Sequence, residues 1–279
     1  MKKAIFTLAI GNNPMYQAAI MAIHHYAKRV NADVIVSETL HYPINIESPL
    51  FNANPAWAEK LYIGELLKTY DRVLYVDADL LIHPKARDVF AHYPQLDTVY
   101  MLNEGAHVDR SREKQLIEQE LGEIDWPQEC NLPTYYNVGA ILISNQCPLF
   151  NFLSLQKLQS ICNKVNFYEQ TLFNYELFKN NINHQTLGKN FNRMDMFGST
   201  DYLDADFIHY AGKGYAKNNR RRDIQFMRDF EILYKGIFDE GQICELKSQA
   251  WQDYLGKIHK KYPLPNTLLT SLCKLSVPH

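Results

Sequence analysis

Short apolar runs, each followed by a polar turn, recur through the first half of the chain. They occupy residues 4–10, 34–36, 73–76 and 98–102, and runs of this length are typical of strands buried in a mostly parallel sheet. Residues 15–30 instead repeat apolar side chains at helical spacing. Because a strand, a helix and a strand follow one another here, the pattern predicts a Rossmann-like α/β fold with a mixed, mostly parallel central sheet.

The rest of the chain predicts more helix. Residues 140–143 and 205–209 form further apolar runs, and helical spacing marks residues 56–68, 150–163, 167–177 and 223–256. The polar segment 104–129 predicts an exposed helix and loop. Residues 37–55 include three prolines and predict a loop. We therefore expect one large α/β domain over residues 1–222 and a helical extension with a tail over residues 223–279.

Two carboxylates, Asp77 and Asp79, follow the apolar run at residues 73–76. Alternate residues of an extended chain point the same way, so these side chains can converge on one object. Carboxylates at the end of a buried strand are costly unless they are neutralised, and the simplest partner is Mg²⁺ or Mn²⁺ holding a diphosphate. Ligands of open α/β sheets bind beyond the carboxyl ends of the strands, where this pair lies. The alternative is an acidic turn with two solvated carboxylates.

Other polar side chains lie close to the predicted strands. Lys60, on the helix before the aspartates, can reach a phosphate, and the alternative is a solvated lysine. Asn137 and Gly139 precede a later strand; Asn137 offers an amide to sugar hydroxyls, and the alternative is a turn residue. His209 ends an apolar run and precedes a glycine-lysine loop, residues 212–217, of the kind that can wrap a diphosphate.

Composition narrows the class of partner and the compartment. The net charge of -2 over 279 residues gives no reason to expect a nucleic acid. The five cysteines are scattered and form no Cys-x-x-Cys pair, so we expect no disulfide framework and a reducing compartment such as the cytoplasm. The run at residues 4–10 is too short for a signal sequence or a membrane span. Lysines and leucines near the C-terminus indicate at most peripheral contact with the inner face of a membrane.

Five motifs, in order between residues 4 and 215, resemble those of GT-A glycosyltransferases. The similarity is greatest to family 8, the group of glycogenin and the lipopolysaccharide galactosyltransferases. The motifs are Thr7-Leu8-Ala9, Trp57-x-x-Lys60 before Asp77-Ala78-Asp79, Tyr136-Asn137-Val138-Gly139, Glu169-Gln170 with Leu172 and Asn174, and His209-Tyr210-Ala211-Gly212.

This resemblance implies a GT-A catalytic domain over residues 1–222. It implies an enzyme that moves a sugar, with retention, from a nucleotide-sugar donor, most often a UDP-sugar, to a glycan, lipid or protein acceptor. It further implies a metal, Mn²⁺ or Mg²⁺, held by Asp77, Asp79 and His209, and a reacting face lined by the catalytic candidates Glu169 and Gln170. The residues that it implies in donor binding are Thr7, Leu8, Ala9, Asn12, Lys60, Asp77, Ala78, Asp79, Asn137, Gly139, Gly212, Lys213 and Lys217.

The chain departs from the family pattern at three places. An early Asp-x-Asn that contacts uracil is Ile10-Gly11-Asn12 here, which leaves the base of the donor open. A Lys-Pro-Trp after the histidine motif is replaced by Gly214-Tyr-Ala-Lys217, which leaves open the roles of Lys213 and Lys217. Glu169 replaces the usual aspartate and reaches one methylene further.

Two other classes of protein are alternatives. A haloacid-dehalogenase-like phosphatase also carries Asp-x-Asp after an apolar strand, but near the start of its domain and with Thr or Val two places on, where this chain has Leu80 and Leu81. A non-catalytic nucleotide-sugar-binding protein should have lost a metal ligand, whereas Asp77, Asp79 and His209 are all present.

Overall fold

Two compact units make up the chain in the computed structural model, which describes residues 1–47, 53–129, 131–216 and 222–276. Unit 1 comprises Met1–Ile10, Ala27–Asp77 and Arg87–Asn192. Unit 2 comprises Gly11–Tyr26, Ala78–Ala86 and Arg193–His279.

The described residues alternate between strands and helices. The strands are β1 (Lys3–Leu8), β2 (Asp33–Ser37), β3 (Arg72–Val76), β4 (Leu80–Ile82), β5 (Val99–Asn103), β6 (Gln128–Glu129), β7 (Leu132–Pro133), β8 (Tyr136–Ser144), β9 (His184–Thr186) and β10 (Phe207–His209). The helices are α1 (Pro14–Val30), α2 (Tyr62–Leu66), α3 (Val89–His92), α4 (Ser111–Leu121), α5 (Leu155–Ile161), α6 (Tyr168–Lys179), α7 (Arg222–Tyr234), α8 (Glu240–Lys261) and α9 (Asn266–Ser276). None of these helices is both long enough and apolar enough to cross a bilayer.

A six-stranded sheet in the order β2-β1-β3-β8-β5-β9 forms the centre of unit 1. Strand β8 runs antiparallel to β3 and β5, and the other neighbouring pairs are parallel. Every residue of β3 and β8 is buried, as the continuous apolar runs predict for strands covered on both faces. The prediction of a mixed, mostly parallel sheet is confirmed. The carboxyl ends of β1, β3 and β5 and the start of β8 therefore share one edge.

Three local predictions need correction. The expected helix over residues 56–68 is a 3-10 turn, Pro55–Leu61, followed by the short helix α2. The segment 104–129 contains the predicted helix, α4, but it is not simply exposed, because Glu104 and Glu113 are buried. The C-terminal tail carries the helix α9. In the last two cases polar or proline-containing composition suggested solvent-exposed chain where tertiary packing supports buried or helical structure.

Unit 2 is built on the antiparallel pair β4 and β10 and on helices that share a core. Apolar residues of α1, α7 and α8 pack with Leu81 and Ile208 of the two strands. Within this core Asp229 is fully buried, and its Oδ2 accepts hydrogen bonds from the hydroxyls of Tyr202 at 2.6 Å and Tyr210 at 2.8 Å. Its Oδ1 accepts from the guanidinium of Arg228 at 3.0 Å. This network fixes Tyr210, the neighbour of His209.

Because of this network we expect unit 2 to lose stability at alkaline pH. Burial first, and then the bond to Asp229, raise the pKa of Tyr202 from 10.0 to about 12. A raised pKa in the folded protein means that the contribution of Tyr202 is full below pH 10 and is lost as the pH rises towards 12. In this range the unfolding free energy of wild type should therefore fall more steeply with pH than that of the Tyr202→Phe variant. The difference in slope should be about 1.4 kcal/mol per pH unit.

Urea unfolding of both proteins between about pH 10 and pH 12 measures this difference. Equal slopes in wild type and Tyr202→Phe would contradict the prediction. The control is Tyr262→Phe, because Tyr262 is 47% exposed.

Candidate active site

Asp77 lies directly after β3, at the edge of the unit 1 sheet. Its backbone N–H donates to the carbonyl of Gly139 in β8 at 2.8 Å, so the two strands hold it in place. The hydroxyl of Tyr75 donates a short hydrogen bond to Asp77 Oδ1, and the ammonium of Lys60 lies 3.6 Å from the same oxygen. The carboxylate is therefore oriented by two residues, Tyr75 and Lys60, and its side chain keeps 30% exposure.

Lys60 is buried between two carboxylates. Its Nζ donates to Glu169 Oε1 at 3.0 Å, and the exposures of Lys60 and Glu169 are only 2% and 4%. Burial alone would lower the pKa of the Lys60 ammonium, but Asp77 and Glu169 outweigh burial and raise that pKa above its ordinary value. The alternative of a solvated lysine is wrong. Glu169 Oε2 is buried and has no hydrogen-bond partner in the described residues.

Asp79 and His209 come together in unit 2 through strand pairing. His209 pairs with Leu80 across the β4–β10 ladder, and the N–H of Tyr210 donates to the carbonyl of Asp79 at 3.0 Å. This register places His209 Nε2 at 3.2 Å from Asp79 Oδ1. The guanidinium of Arg222 donates to the other oxygen, Oδ2, at 3.1 Å. One oxygen of Asp79 therefore faces the imidazole of His209, and the other faces the guanidinium of Arg222.

Asp77, Asp79 and His209 could bind one divalent metal ion. The two aspartates flank Ala78 in one short stretch of backbone, so two peptide units limit the distance between them. One potential ligand atom from each of the three residues lies within 4.8 Å of the others. Two carboxylate oxygens and an imidazole nitrogen suit Mn²⁺, and the oxygens suit Mg²⁺. The structure thus brings the ligand atoms of the predicted Asp pair and His209 close together, and this donor set fits the metals that the resemblance implies.

A buried polar network in unit 1 surrounds Gln170. Glu104, which follows β5 and is 1% exposed, accepts from Gln170 Nε2 at 3.1 Å and from Asn137 Nδ2 at 3.1 Å. Arg110 donates to Glu104 Oε1 from Nε at 2.9 Å and from Nη2 at 2.7 Å. Asn192 Nδ2 donates to Asn137 Oδ1 at 3.0 Å. The structure therefore joins the predicted residues Asn137 and Gln170 to Glu104, Arg110 and Asn192.

The sequence contains a signal that would have found Glu104. It is a carboxylate just beyond the end of an apolar run, as Asp77 is, and β3 and β5 end at the same edge because both are antiparallel to β8. A backbone constraint holds it there: a Cβ on the next residue, Gly105, would lie 2.4 Å from the carbonyl oxygen of Pro133. Arg222 carried no such signal, because it lies in a basic run with no strand beside it.

The remaining predicted residues lie in both units. Thr7, Leu8 and Ala9 are at the carboxyl end of β1 in unit 1, where Thr7 is buried and its hydroxyl has no hydrogen-bond partner in the described residues. Asn12 is exposed in unit 2 and accepts from Gln17. Gly212 and Lys213, also in unit 2, are exposed. Both Gly212 and Gly214 adopt positive φ, as a tight loop requires. Lys217 lies outside the described residues.

Three solved glycosyltransferase structures resemble this chain. A glycosyltransferase involved in the glycosylation of the major capsid of PBCV-1 has a TM-score of 0.51 and 14% identity, covering 82% of this chain and all of that one. The galactosyltransferase LgtC, in complex with donor and acceptor sugar analogs, has a TM-score of 0.50 and 17% identity, covering 85% and 98%.

The bifunctional glycosyltransferase WbbM has a TM-score of 0.52 and 15% identity over 88% of this chain, and the chain spans about half, 52%, of its length. No protein-family model matches the sequence, and no curated protein matches it. At these identities the likeness concerns the fold, and the fold is that of the GT-A glycosyltransferases. This confirms the fold that the five motifs imply.

Proposed function

We propose that the protein is a metal-dependent glycosyltransferase that moves a sugar from a nucleotide-sugar donor, a UDP-sugar, to a hydroxyl of a glycan, lipid or protein acceptor. The observation that carries this proposal is the group of Asp77, Asp79 and His209, whose ligand atoms lie within 4.8 Å of one another, in a chain with the GT-A fold. LgtC was solved with donor and acceptor sugar analogs, which supports the same classes of substrate here.

The proposed metal site consists of Asp77, Asp79 and His209, and the bound ion is Mn²⁺ or Mg²⁺. When bound, such a cation neutralises the charge that develops on a departing nucleoside diphosphate. Lys60 holds the carboxylates of Asp77 and Glu169 in fixed positions, and we assign it to the diphosphate side of the donor. Gly212, Lys213 and Lys217 belong to the same proposed subsite.

The proposed donor site has a part for the nucleoside and a part for the sugar. Thr7, Leu8, Ala9 and Asn12 belong to the nucleoside part, and Ala78, Asn137 and Gly139 belong to the sugar part. Glu169 and Gln170 line the reacting face. The buried oxygen Oε2 of Glu169, which has no hydrogen-bond partner in the described residues, supports this assignment because it leaves an acceptor for the sugar. The transfer proceeds with retention of the anomeric configuration.

Turnover of UDP-sugars tests this function. The protein is incubated with individual UDP-hexoses and Mn²⁺, release of UDP is followed, and the released or transferred sugar is examined by NMR for its anomeric configuration. We expect turnover of one donor, its loss when a chelator removes the metal, and a retained anomer. An inverted anomer would overturn retention alone.

Two other outcomes would contradict the transferase itself. Hydrolysis of phosphate monoesters without turnover of any nucleotide sugar would identify a phosphatase. Binding of a nucleotide sugar with no turnover in the presence of varied glycan, lipid and protein acceptors would identify a non-catalytic binding protein.

We further propose a cytoplasmic location with peripheral contact at the inner face of a membrane. Fractionation of cells in the absence of detergent tests this location.

A further inference from the structure

Glu104 is an acceptor-only group at the centre of the buried network in unit 1. An ionised carboxylate offers oxygens and no hydrogen, and Glu104 receives four donor contacts, from Arg110 Nε and Nη2, Gln170 Nε2 and Asn137 Nδ2. Both amides must therefore turn their nitrogen atoms towards it. The carboxylate thus determines which end of each amide faces the rest of the site.

The orientation of Asn137 is fixed a second time from the other side. Its Oδ1 accepts from the N–H of Gly139 at 3.0 Å and from Asn192 Nδ2 at 3.0 Å. Its Nδ2 donates to Gln170 Oε1 at 3.3 Å as well as to Glu104. Reversal of the Asn137 amide would place donors against donors and acceptors against acceptors, so this side chain has one satisfied orientation.

The orientation of Gln170 follows from these two residues. Gln170 Oε1 accepts from Asn137 Nδ2 and from the N–H of Val138, both at 3.3 Å, and Nε2 donates to Glu104 Oε1 at 3.1 Å. Gln170 is 6% exposed, so water offers it little alternative. Its neighbour in α6 is Glu169, which contacts Lys60. Any displacement of Gln170 changes the proposed reacting face.

Arg110 is the cationic partner of the buried Glu104 carboxylate. Besides its two contacts with Glu104 Oε1, its guanidinium lies 4.4 Å from the centre of the Phe167 ring and 5.6 Å from that of Tyr135. Phe167 has φ of 48°, a left-handed conformation that is unusual for an aromatic residue, directly before α6. Arg110 thus contacts both the carboxylate of Glu104 and the ring of Phe167, the residue directly before α6.

We infer that Glu104, supported by Arg110, is a positioning residue of the reaction: it fixes the amide of Gln170, through a direct bond and through Asn137, for contact with the donor sugar. This inference rests on the proposed glycosyltransferase function and adds a residue that acts through Gln170 rather than on the substrate. A purely structural salt bridge that anchors residues 104–110 is the alternative that the experiment must separate.

The test compares wild type with Glu104→Gln. A glutamine at this position keeps the shape but replaces one acceptor oxygen with an NH₂ donor, which faces the nitrogen of Asn137 or of Gln170. Four quantities are measured with Mn²⁺ present: the dissociation constant of UDP, that of the UDP-hexose that wild type turns over, and kcat and KM for that donor. The matched control is Glu129→Gln, an exposed glutamate in the same segment whose Oε2 lies 3.4 Å from Asn103 Nδ2.

We expect the affinity of Glu104→Gln for UDP to stay within about twofold of wild type, because UDP lacks the sugar. Its kcat should fall about 10²-fold, which is the effect of a misplaced reacting group. Glu104→Asp, which keeps two acceptor oxygens, should retain more activity than Glu104→Gln. The Glu129→Gln control should match wild type in all four quantities.

Two results would overturn the inference. One is an unchanged kcat in Glu104→Gln. The other is an equal loss of affinity for UDP and for the UDP-hexose together with a lower unfolding temperature, which identifies a structural role. Failure of the proposed function is seen separately, because wild type would then neither bind nor turn over any UDP-hexose with metal.

Discussion

The Asp79→Asn variant should lose about 10³-fold in donor turnover, the upper end for removal of one group that stabilises leaving-group charge. Asp79 is a member of the proposed metal site, and its Oδ1 lies 3.2 Å from His209 Nε2. An amide keeps the shape but removes the negative charge that a hard cation requires. Titration with Mn²⁺, followed by the electron paramagnetic resonance of the free ion, should show much weaker binding, and the turnover assay gives the loss of rate.

Folding should be little affected by the same change. The ion pair of Asp79 with Arg222 is partly exposed, with 18% and 25% side-chain exposure, and pairs of this kind contribute about 1 kcal/mol or less. The control is Asp253→Asn on the exposed side of α8, which should bind Mn²⁺ as wild type does. Normal Mn²⁺ affinity and turnover in Asp79→Asn would exclude Asp79 as a metal ligand.

The Lys60→Met variant should be destabilised by about 3 to 5 kcal/mol, the cost of leaving a buried charge without its partner. Lys60 is 2% exposed and lies 3.0 Å from Glu169 Oε1 and 3.6 Å from Asp77 Oδ1. Because its pKa is raised in the folded protein, the contribution of the ammonium is fully present at neutral pH and is lost only in strong alkali. Urea unfolding at neutral pH measures the change, and donor turnover should fall with it.

A second substitution isolates the cause. The double variant Lys60→Met with Glu169→Gln replaces the buried carboxylate with a neutral amide. We therefore expect part of the lost stability to return. Lys68→Met is the control, because Lys68 pairs with Glu65 on the surface, with 70% and 49% side-chain exposure, and should change stability by about 0.5 kcal/mol or less. A Lys60→Met protein as stable as this control would show that Lys60 is not a buried counterion.

The residues of the proposed metal site were predictable because local pattern specifies them. Asp77 and Asp79 follow a strand whose apolar run is unambiguous, and an extended chain directs alternate side chains to one side. His209 also ends an apolar run, and its strand pairs with the residues that follow the Asp pair. Strand boundaries moved by at most four residues, and Asp77 and His209 keep their predicted places at strand ends. Asn137 and Gly139, which were expected to precede a strand, lie within β8.

The place of Glu104 after an apolar run can be read from the sequence, but its burial in a polar network cannot. The polar composition of residues 104–129 indicated exposed chain, yet Glu104 is buried because Arg110, Asn137 and Gln170 satisfy its carboxylate. Partners far apart in sequence decide that outcome, and a sequence pattern does not record them. Lys60 shows the same limit. A helix was predicted over residues 56–68, where Lys60 lies in a 3-10 turn, and its two carboxylate partners belong to other elements, Asp77 directly after β3 and Glu169 in α6.

A calorimetric titration of UDP into wild-type protein, with and without Mn²⁺, tests the central claim most directly. The proposed site predicts saturable binding at one site per chain with Mn²⁺ and little or none without it, because Asp77 and Asp79 would otherwise repel the diphosphate. Binding that is equally strong without metal would contradict the metal-dependent site. Absence of binding to UDP with Mn²⁺ or Mg²⁺ would contradict the assignment of a UDP-sugar as the donor.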